Sequence, residues 1–279
     1  MIPRALILRA PGINRDEDAA AAIELAGGRP ERVHVNRVVE GAVRLADYAV
    51  LLIPGGFSYG DHLGAGKLLA VDLIHRLAEQ LRGFVADGRP VIGICNGFQV
   101  LVKAGILPGT ESVVRRPSSV VSSTDNGQLT TDNQQIATLT DNASGRFECR
   151  WVHLAADLAS CCVFTQGIER PIEVPVAHGE GRFVALDAAS LAALRAGGQV
   201  ALRYVAADGR PAEYPANPNG SDDAIAGICN QQGNVLGLMP HPEDAVLPHQ
   251  HPRWTREPRR AEGDGLAIFR NAVRYAASL

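Results

Sequence analysis

Cys95 stands between two glycines in the run Arg89-Pro-Val-Ile-Gly-Ile-Cys-Asn-Gly-Phe-Gln99. Val91, Ile92 and Ile94 are β-branched and predict a buried strand, while Phe98 to Lys103 continues with helical spacing up to Gly105. A strand that turns sharply into a helix through Gly93 and Gly97 builds a nucleophile elbow, here with a thiol in place of the usual hydroxyl. The glycines let neighbouring backbone crowd the strained residue. The helix N-terminus favours thiolate over thiol. Taken alone, the motif also fits an ordinary buried cysteine.

A nucleophilic thiol needs a base, and the base needs an orienting group. Two H-x-E runs offer both, His178-Gly179-Glu180 and His241-Pro242-Glu243. A spacing of two puts both side chains on one face of an extended segment, so either glutamate could orient its histidine. His241 directly follows the apolar run Val235 to Met239, as a strand-end base requires, and the pattern favours it. His178 follows a similar run, but Gly179 and Gly181 suggest a loop. Gly55 and Gly56 end another apolar run, and backbone N–H groups there, with that of Asn96, could hold a developing oxyanion. His241, Glu243, His249 and His251 are close in sequence but match no common zinc spacing, so no metal is expected.

These residues need a scaffold that brings strand ends together. Ala5 to Leu8, Val33 to Val39 and Tyr48 to Ile53 read as strands. Asp16 to Ala26 reads as a helix with Asn14 as its cap, and Leu63 to Val85 as a long helix. Phe147 to Leu154, Ile172 to Ala177, Val200 to Ala206, Ile225 to Cys229 and Val235 to Met239 are further strands. Ser190 to Ala196 and the amphipathic Leu266 to Ala277 are helices. The alternation predicts an α/β fold, an open, largely parallel sheet with helices on both faces and the elbow after a central strand. Ligands in such sheets bind beyond the carboxyl ends of the strands. Residues 111–146, rich in Ser, Thr, Asn and Asp, read as a mobile surface insertion with short irregular strands. Residues 247–265, with Pro248, Pro252 and Pro258, read as a second, a loop whose Arg253, Arg256, Arg259 and Arg260 lie on a solvated surface. One domain over 1–279 is expected.

Composition narrows the classes. The 279 residues are 46% hydrophobic and 20% charged with a net charge of −3. That is a soluble globular balance without the basic face of a nucleic-acid binder. No apolar stretch reaches membrane-spanning length and Met1 to Leu8 is too short for a signal peptide. Five cysteines, odd in number and without metal spacing, fit a reducing cytoplasm.

Gly93-Ile-Cys-Asn-Gly-Phe-Gln99, Gly55-Gly-Phe-Ser-Tyr-Gly-Asp61 and Met239-Pro-His-Pro-Glu243 together resemble the class I (triad) glutamine amidotransferases. Ser144-Gly-Arg-Phe-Glu-Cys-Arg-Trp-Val-His153, Ala177-His-Gly-Glu-Gly-Arg-Phe183, Asn217-Pro-Asn-Gly-Ser221 and Ile225-Ala-Gly-Ile-Cys-Asn230 narrow the resemblance. They are similar to the glutaminase subunits of phosphoribosylformylglycinamidine synthase. The resemblance implies Cys95 as nucleophile, His241 as base and Glu243 as its orienter. It implies Gly55, Gly56, Phe57 and Asn96 as the oxyanion and substrate-backbone segment, and Gln99 as a glutamine-binding residue. It puts Arg150 and Trp151 at the substrate's amino-acid end and gives the His178 segment a structural or interface role. Asp244 departs from the family, many of whose members have Arg there.

By the same resemblance, glutamine is hydrolysed through a Cys95 thioester in purine biosynthesis. The ammonia passes to a larger synthetase subunit that uses ATP and magnesium, with a small bridging subunit as a further partner. This chain itself needs no cofactor, and it has no G-x-x-x-x-G-K-S/T loop for ATP. Two rival readings are a free-standing cysteine amidase or peptidase, which would turn over many amides alone, and a non-catalytic glutamine-binding regulatory module, whose signature would be a degenerate triad.

Overall fold

The computed structural model describes residues 1–109, 136–258 and 260–279. Its first half runs β1 (Arg4–Arg9), α1 (Asp16–Leu25), β2 (Arg29–His34), α2 (Val35–Val39), β3 (Val50–Ile53), α3 (Lys67–Arg76), α4 (Ala78–Ala86), β4 (Val91–Ile94) and α5 (Asn96–Lys103). There follow β5 (Ala137–Thr140), β6 (Glu148–Ala156), β7 (Ile172–His178), β8 (Arg182–Ala185), α6 (Ala188–Ala196), β9 (Val200–Val205), β10 (Ile225–Cys229), β11 (Val235–Leu238) and α7 (Leu266–Ser278).

Among the described residues, nine strands form one sheet in the order β2-β1-β3-β4-β11-β10-β9-β6-β7, while β5 and β8 pair separately. The first five are parallel to one another, and the pairs beyond β11 are antiparallel. Following those pairings, only β10 and β6 point against the rest, so the sheet is largely parallel. Every residue of β3, β4 and β11 is buried, as strands covered on both faces must be. Helices α1 and α7 pack together on one face, and α5 with α3 covers the other across β3, β4 and β11. Phe98 of α5 is fully buried, and its ring needs Gly237 opposite, where a Cβ would lie 2.1 Å from it. Burying that ring contributes about 2–3 kcal/mol.

The neighbours β3, β4 and β11 matter most for chemistry. They are in register and parallel, so their carboxyl ends meet at one edge. Gly55, Cys95 and His241 follow those three ends directly.

Several local expectations are corrected. Val33 to Val39 is not one strand: β2 begins at Arg29 and ends at His34, and Val35–Val39 is a helical turn. His34 Nδ1 accepts from the Asn36 N–H and caps that turn, and Val35 and Val38 share its buried side. Pro30 is tolerated because β2 is the sheet's edge. Asn14 does not cap α1; the cap position is Arg15, which makes no side-chain cap bond. The long helix is broken at Leu77, whose φ of −122° separates α3 from α4 while its side chain stays buried.

Within 111–146, residues 110–135 lie outside the described residues, and 137–140 are β5. Residues 248–250 form a short 3-10 turn, and the arginines that follow do more than face solvent. Arg253 and Arg260 reach the buried carboxylate of Glu173 on β7, at 3.3 and 3.5 Å, and His251 Nε2 approaches it at 2.8 Å. Asp264, also buried, pairs with Arg260 at 3.0 Å and Arg170 at 2.7 Å and accepts the Glu173 N–H.

Candidate active site

Cys95 occupies the turn between β4 and α5 with φ 50° and ψ −106°, outside the regions where side-chain-bearing residues rest easily. The turn closes because its glycines admit backbone. A Cβ on Gly97 would stand 2.0 Å from the Ile53 carbonyl oxygen, and one on Gly93 2.7 Å from that of Gly97. The elbow is therefore wedged against β3, and the strain at Cys95 is held by main-chain contacts.

His241 follows β11. Its Nδ1 lies 2.7 Å from Glu243 Oε1, and both side chains are buried. Gly55 sits between the His241 ring and Cys95, where a Cβ would be 2.8 Å from His241 Cε1 and 3.4 Å from Cys95 Cβ. The structure thus brings the three together. The Cys95 thiol points to the Ala177 carbonyl at 3.9 Å, and among the described residues no conventional hydrogen bond reaches His241 Nε2. Such bonds commonly tighten only once substrate is bound. Burial pushes His241 towards its neutral form, but the Glu243 carboxylate and the Cys95 sulfur outweigh it. The pKa stands well above the ordinary histidine value.

A cavity of about 370 Å³ opens beside the sulfur, lined by residues that include Arg15, Gly56, Phe57, Gln99, His178 and Glu180. Phe57 is half-exposed and its N–H is spent on the Gly12 carbonyl at 2.9 Å, so it offers no oxyanion donor. Asn96 is buried, and its side chain is a brace. Its Oδ1 accepts from Ser58 Oγ at 2.6 Å, and its Nδ2 donates to Asp61 and to Gln99 Oε1, each at 3.1 Å. Gln99 Nε2 in turn donates to the Glu180 carbonyl at 2.5 Å. This chain ties the loop after β3, helix α5 and the 178–181 segment into one wall.

Arg150 and Trp151 are not brought to this cavity. On β6, Arg150 pairs with Glu148 and stacks 5.1 Å from the Tyr214 ring, while Trp151 packs edge-on against His251. Arg15 and Asn142 carry no signal in their local sequence pattern; Ser58 and Asp61 lie in the Gly55–Asp61 run, but only the structure shows that they brace Asn96. His178 was visible as an H-x-E histidine, and the structure shows what it does. Asn142 Nδ2 donates to the carbonyls of Arg146 and His178, both at 2.8 Å, and its Oδ1 accepts from the Gly181 N–H at 3.0 Å. That oxygen can only accept from His178 Nδ1 as well, at 3.1 Å. The ring is therefore the Nδ1–H tautomer, with a buried Nε2 lone pair that no protein donor meets. Burial, then the neighbouring His241, depress its pKa to about 4.

Asp244, next to Glu243, ion-pairs with Arg15 at 3.3 Å. Burial and then Glu243 raise its pKa to about 6. Donor atoms of His241, Glu243 and Asp244 lie within 4.8 Å of one another, a spacing a metal could use. His241 Nδ1, however, is already engaged by Glu243, which is the arrangement of an oriented base.

Comparison with known proteins identifies the family. Residues 2–276 match the family described as the CobB/CobQ-like glutamine amidotransferase domain. The phosphoribosylformylglycinamidine synthase subunit PurQ of Treponema denticola is 52% identical over 252 residues, 88% of this chain and 90% of its own. That of Dehalococcoides mccartyi is 46% identical over 274 residues, 98% of this chain and 97% of its own. Among solved structures, a chain of PurLQS from Thermotoga maritima superposes with a TM-score of 0.69 at 33% identity, covering 99% of each chain. The chain belongs to the CobB/CobQ-like glutamine amidotransferase family, among the PurQ subunits of phosphoribosylformylglycinamidine synthase.

Proposed function

We propose that this chain is the glutaminase subunit of phosphoribosylformylglycinamidine synthase, with Cys95, His241 and Glu243 as its catalytic triad. The observation that carries the reading is the strained Cys95 facing a buried His241 that Glu243 orients at 2.7 Å. With its proton already resting on the raised-pKa His241 at Nε2, Cys95 Sγ attacks the carboxamide carbon of glutamine as the thiolate. Backbone N–H groups of Gly56 and Asn96 hold the oxyanion. His241 returns the proton to the leaving nitrogen, ammonia departs, and a glutamyl thioester remains. Water, deprotonated by His241, then releases glutamate and regenerates the thiol.

The ammonia serves a larger synthetase subunit that holds ATP and magnesium, with a small bridging subunit completing the assembly. The PurQ relatives and the PurLQS match support that placement. A cytoplasmic setting suits five free cysteines, two of which, Cys161 and Cys229, keep their sulfurs 3.7 Å apart unbonded. Among the described residues no helix is long and apolar enough to cross a membrane.

The test is Cys95→Ala in the complex reconstituted with its synthetase subunit. Glutamine-dependent synthesis is lost while ammonia-dependent synthesis continues. Equal loss of both in a folded complex overturns the assignment.

A further inference from the structure

The glutaminase reading leaves one end of the substrate unheld. Glutamine reacts at its side-chain amide, but its other end is a zwitterion whose carboxylate needs a cation or several donors in a cavity that excludes water. Arg150 is elsewhere, paired with Glu148. Among the described residues lining the Cys95 cavity, Arg15 is the single arginine or lysine.

Arg15 is placed by two devices. Its backbone belongs to the loop after β1, which is pinned to the loop carrying Gly55 and Gly56. Ile13 bridges Gly56, Phe57 N–H donates to the Gly12 carbonyl, and Tyr59 N–H donates to that of Pro11 at 2.7 Å. Its guanidinium is steadied by Asp244, through Nη1 to Oδ1 at 3.4 Å and Nη2 to Oδ2 at 3.3 Å, and by Asp18 at 3.5 Å. Those contacts are long for charge-assisted bonds, which close to about 2.7–2.9 Å when fully formed. A guanidinium has five N–H donors, so the brace fixes its direction and leaves donors for a further acceptor. About a third of the side chain is open, as befits a wall near the mouth.

We propose that Arg15, braced by Asp244, recognises the α-carboxylate of glutamine bound with its amide at Cys95. Arg15 thereby selects free amino acids over other primary amides. Asp244 acts through Arg15 as a positioning residue.

The inference rests on the glutaminase reading, and the experiment separates the two. In the reconstituted complex, wild type, R15K, R15Q and D244N are compared in glutamine kinetics. They are also compared in the protection of Cys95 from iodoacetamide by glutamine and by 4-aminobutanamide, which is glutamine without its carboxylate. Ammonia-dependent synthesis shows that each variant is folded and assembled. R15Q raises the KM for glutamine about tenfold or more with little change in kcat, the size expected for one lost carboxylate contact. Protection by 4-aminobutanamide is unchanged in R15Q, so glutamine loses its advantage over it. R15K recovers part of the loss, and D244N shows a smaller rise in KM. An unchanged KM in R15Q, or equal weakening for both amides, overturns the role of Arg15 alone. A wild-type Cys95 that glutamine fails to protect overturns the glutaminase reading, and this inference with it.

Discussion

His178 and His241 line the same cavity, yet the protein holds their imidazoles to opposite charge states. Glu243 and the Cys95 sulfur keep His241 protonated beyond its usual range, while burial and the charge on His241 depress His178 to about 4. One ring holds its proton well above the ordinary histidine range. The other is a fixed acceptor, its tautomer set by Asn142.

That contrast has a stability signature. In the folded chain His178 stays neutral until about pH 4, whereas in the unfolded chain it takes up a proton near 6.5. As the pH falls through that interval the unfolded state gains a proton that the folded state refuses, so stability drops, by about 3 kcal/mol for the full shift. His241, raised in the fold, is charged in both states over this interval and adds no slope there; its contribution is lost only as pH rises above 6.5. Urea unfolding of H178Q from pH 6.5 to 4 should show a shallower loss than wild type, whatever its absolute stability at pH 7. Parallel slopes would contradict the assignment.

Gly97→Ala should break the elbow. A Cβ there meets the Ile53 carbonyl oxygen at 2.0 Å, and main chain of β3 cannot yield without disturbing the parallel pairing with β4. We expect a loss of about 3 kcal/mol or more, typical of forced overpacking in a core. Glutamine turnover should fall further than stability alone explains, because Cys95 is displaced. Calorimetry and single-turnover kinetics on one preparation check both.

Glu173→Gln should loosen residues 248–265. Glu173 accepts contacts from Arg253, Arg260 and His251, and replacing its buried carboxylate by an amide costs about 1–3 kcal/mol, less than for a fully buried pair because Arg253 is largely exposed and Glu257 also pairs both arginines. The segment also buttresses the turn that carries His241 and Glu243, since Gly263 N–H donates to the Val246 carbonyl and Gly265 N–H to that of Ala245, both at 2.9 Å. Hydrogen exchange should rise first in 248–265 and then in 242–246. Unaltered exchange in a stable variant would show the clamp to be idle.

The elbow and the H-x-E pairs were legible in sequence because their chemistry is local: glycines two residues from a cysteine, and a carboxylate two residues from an imidazole. The parallel core was legible from the apolar runs at Val50–Ile53, Val91–Ile94 and Val235–Leu238. What stayed hidden depends on partners distant in the chain. Arg253 and Arg260 read as surface charge because Glu173, some eighty residues earlier, is invisible in their own pattern. Arg15 and Asp244 lie 229 positions apart. Val35 to Val39 misled because a β-branched run fits a strand or a buried helical turn equally well, and the His34 cap decides between them.

Gly55, Cys95 and His241 are each contributed by a different one of three adjacent strands, and the last of these, β11, is inserted beside β4 from far along the chain. Such non-local pairings form slowly, after the local hairpins and helices. A chain that ends at β10 carries Cys95 but not His241, which follows β11. The juxtaposition of Gly55, Cys95 and His241 is therefore completed only by the pairing that seals the sheet between β4 and β11.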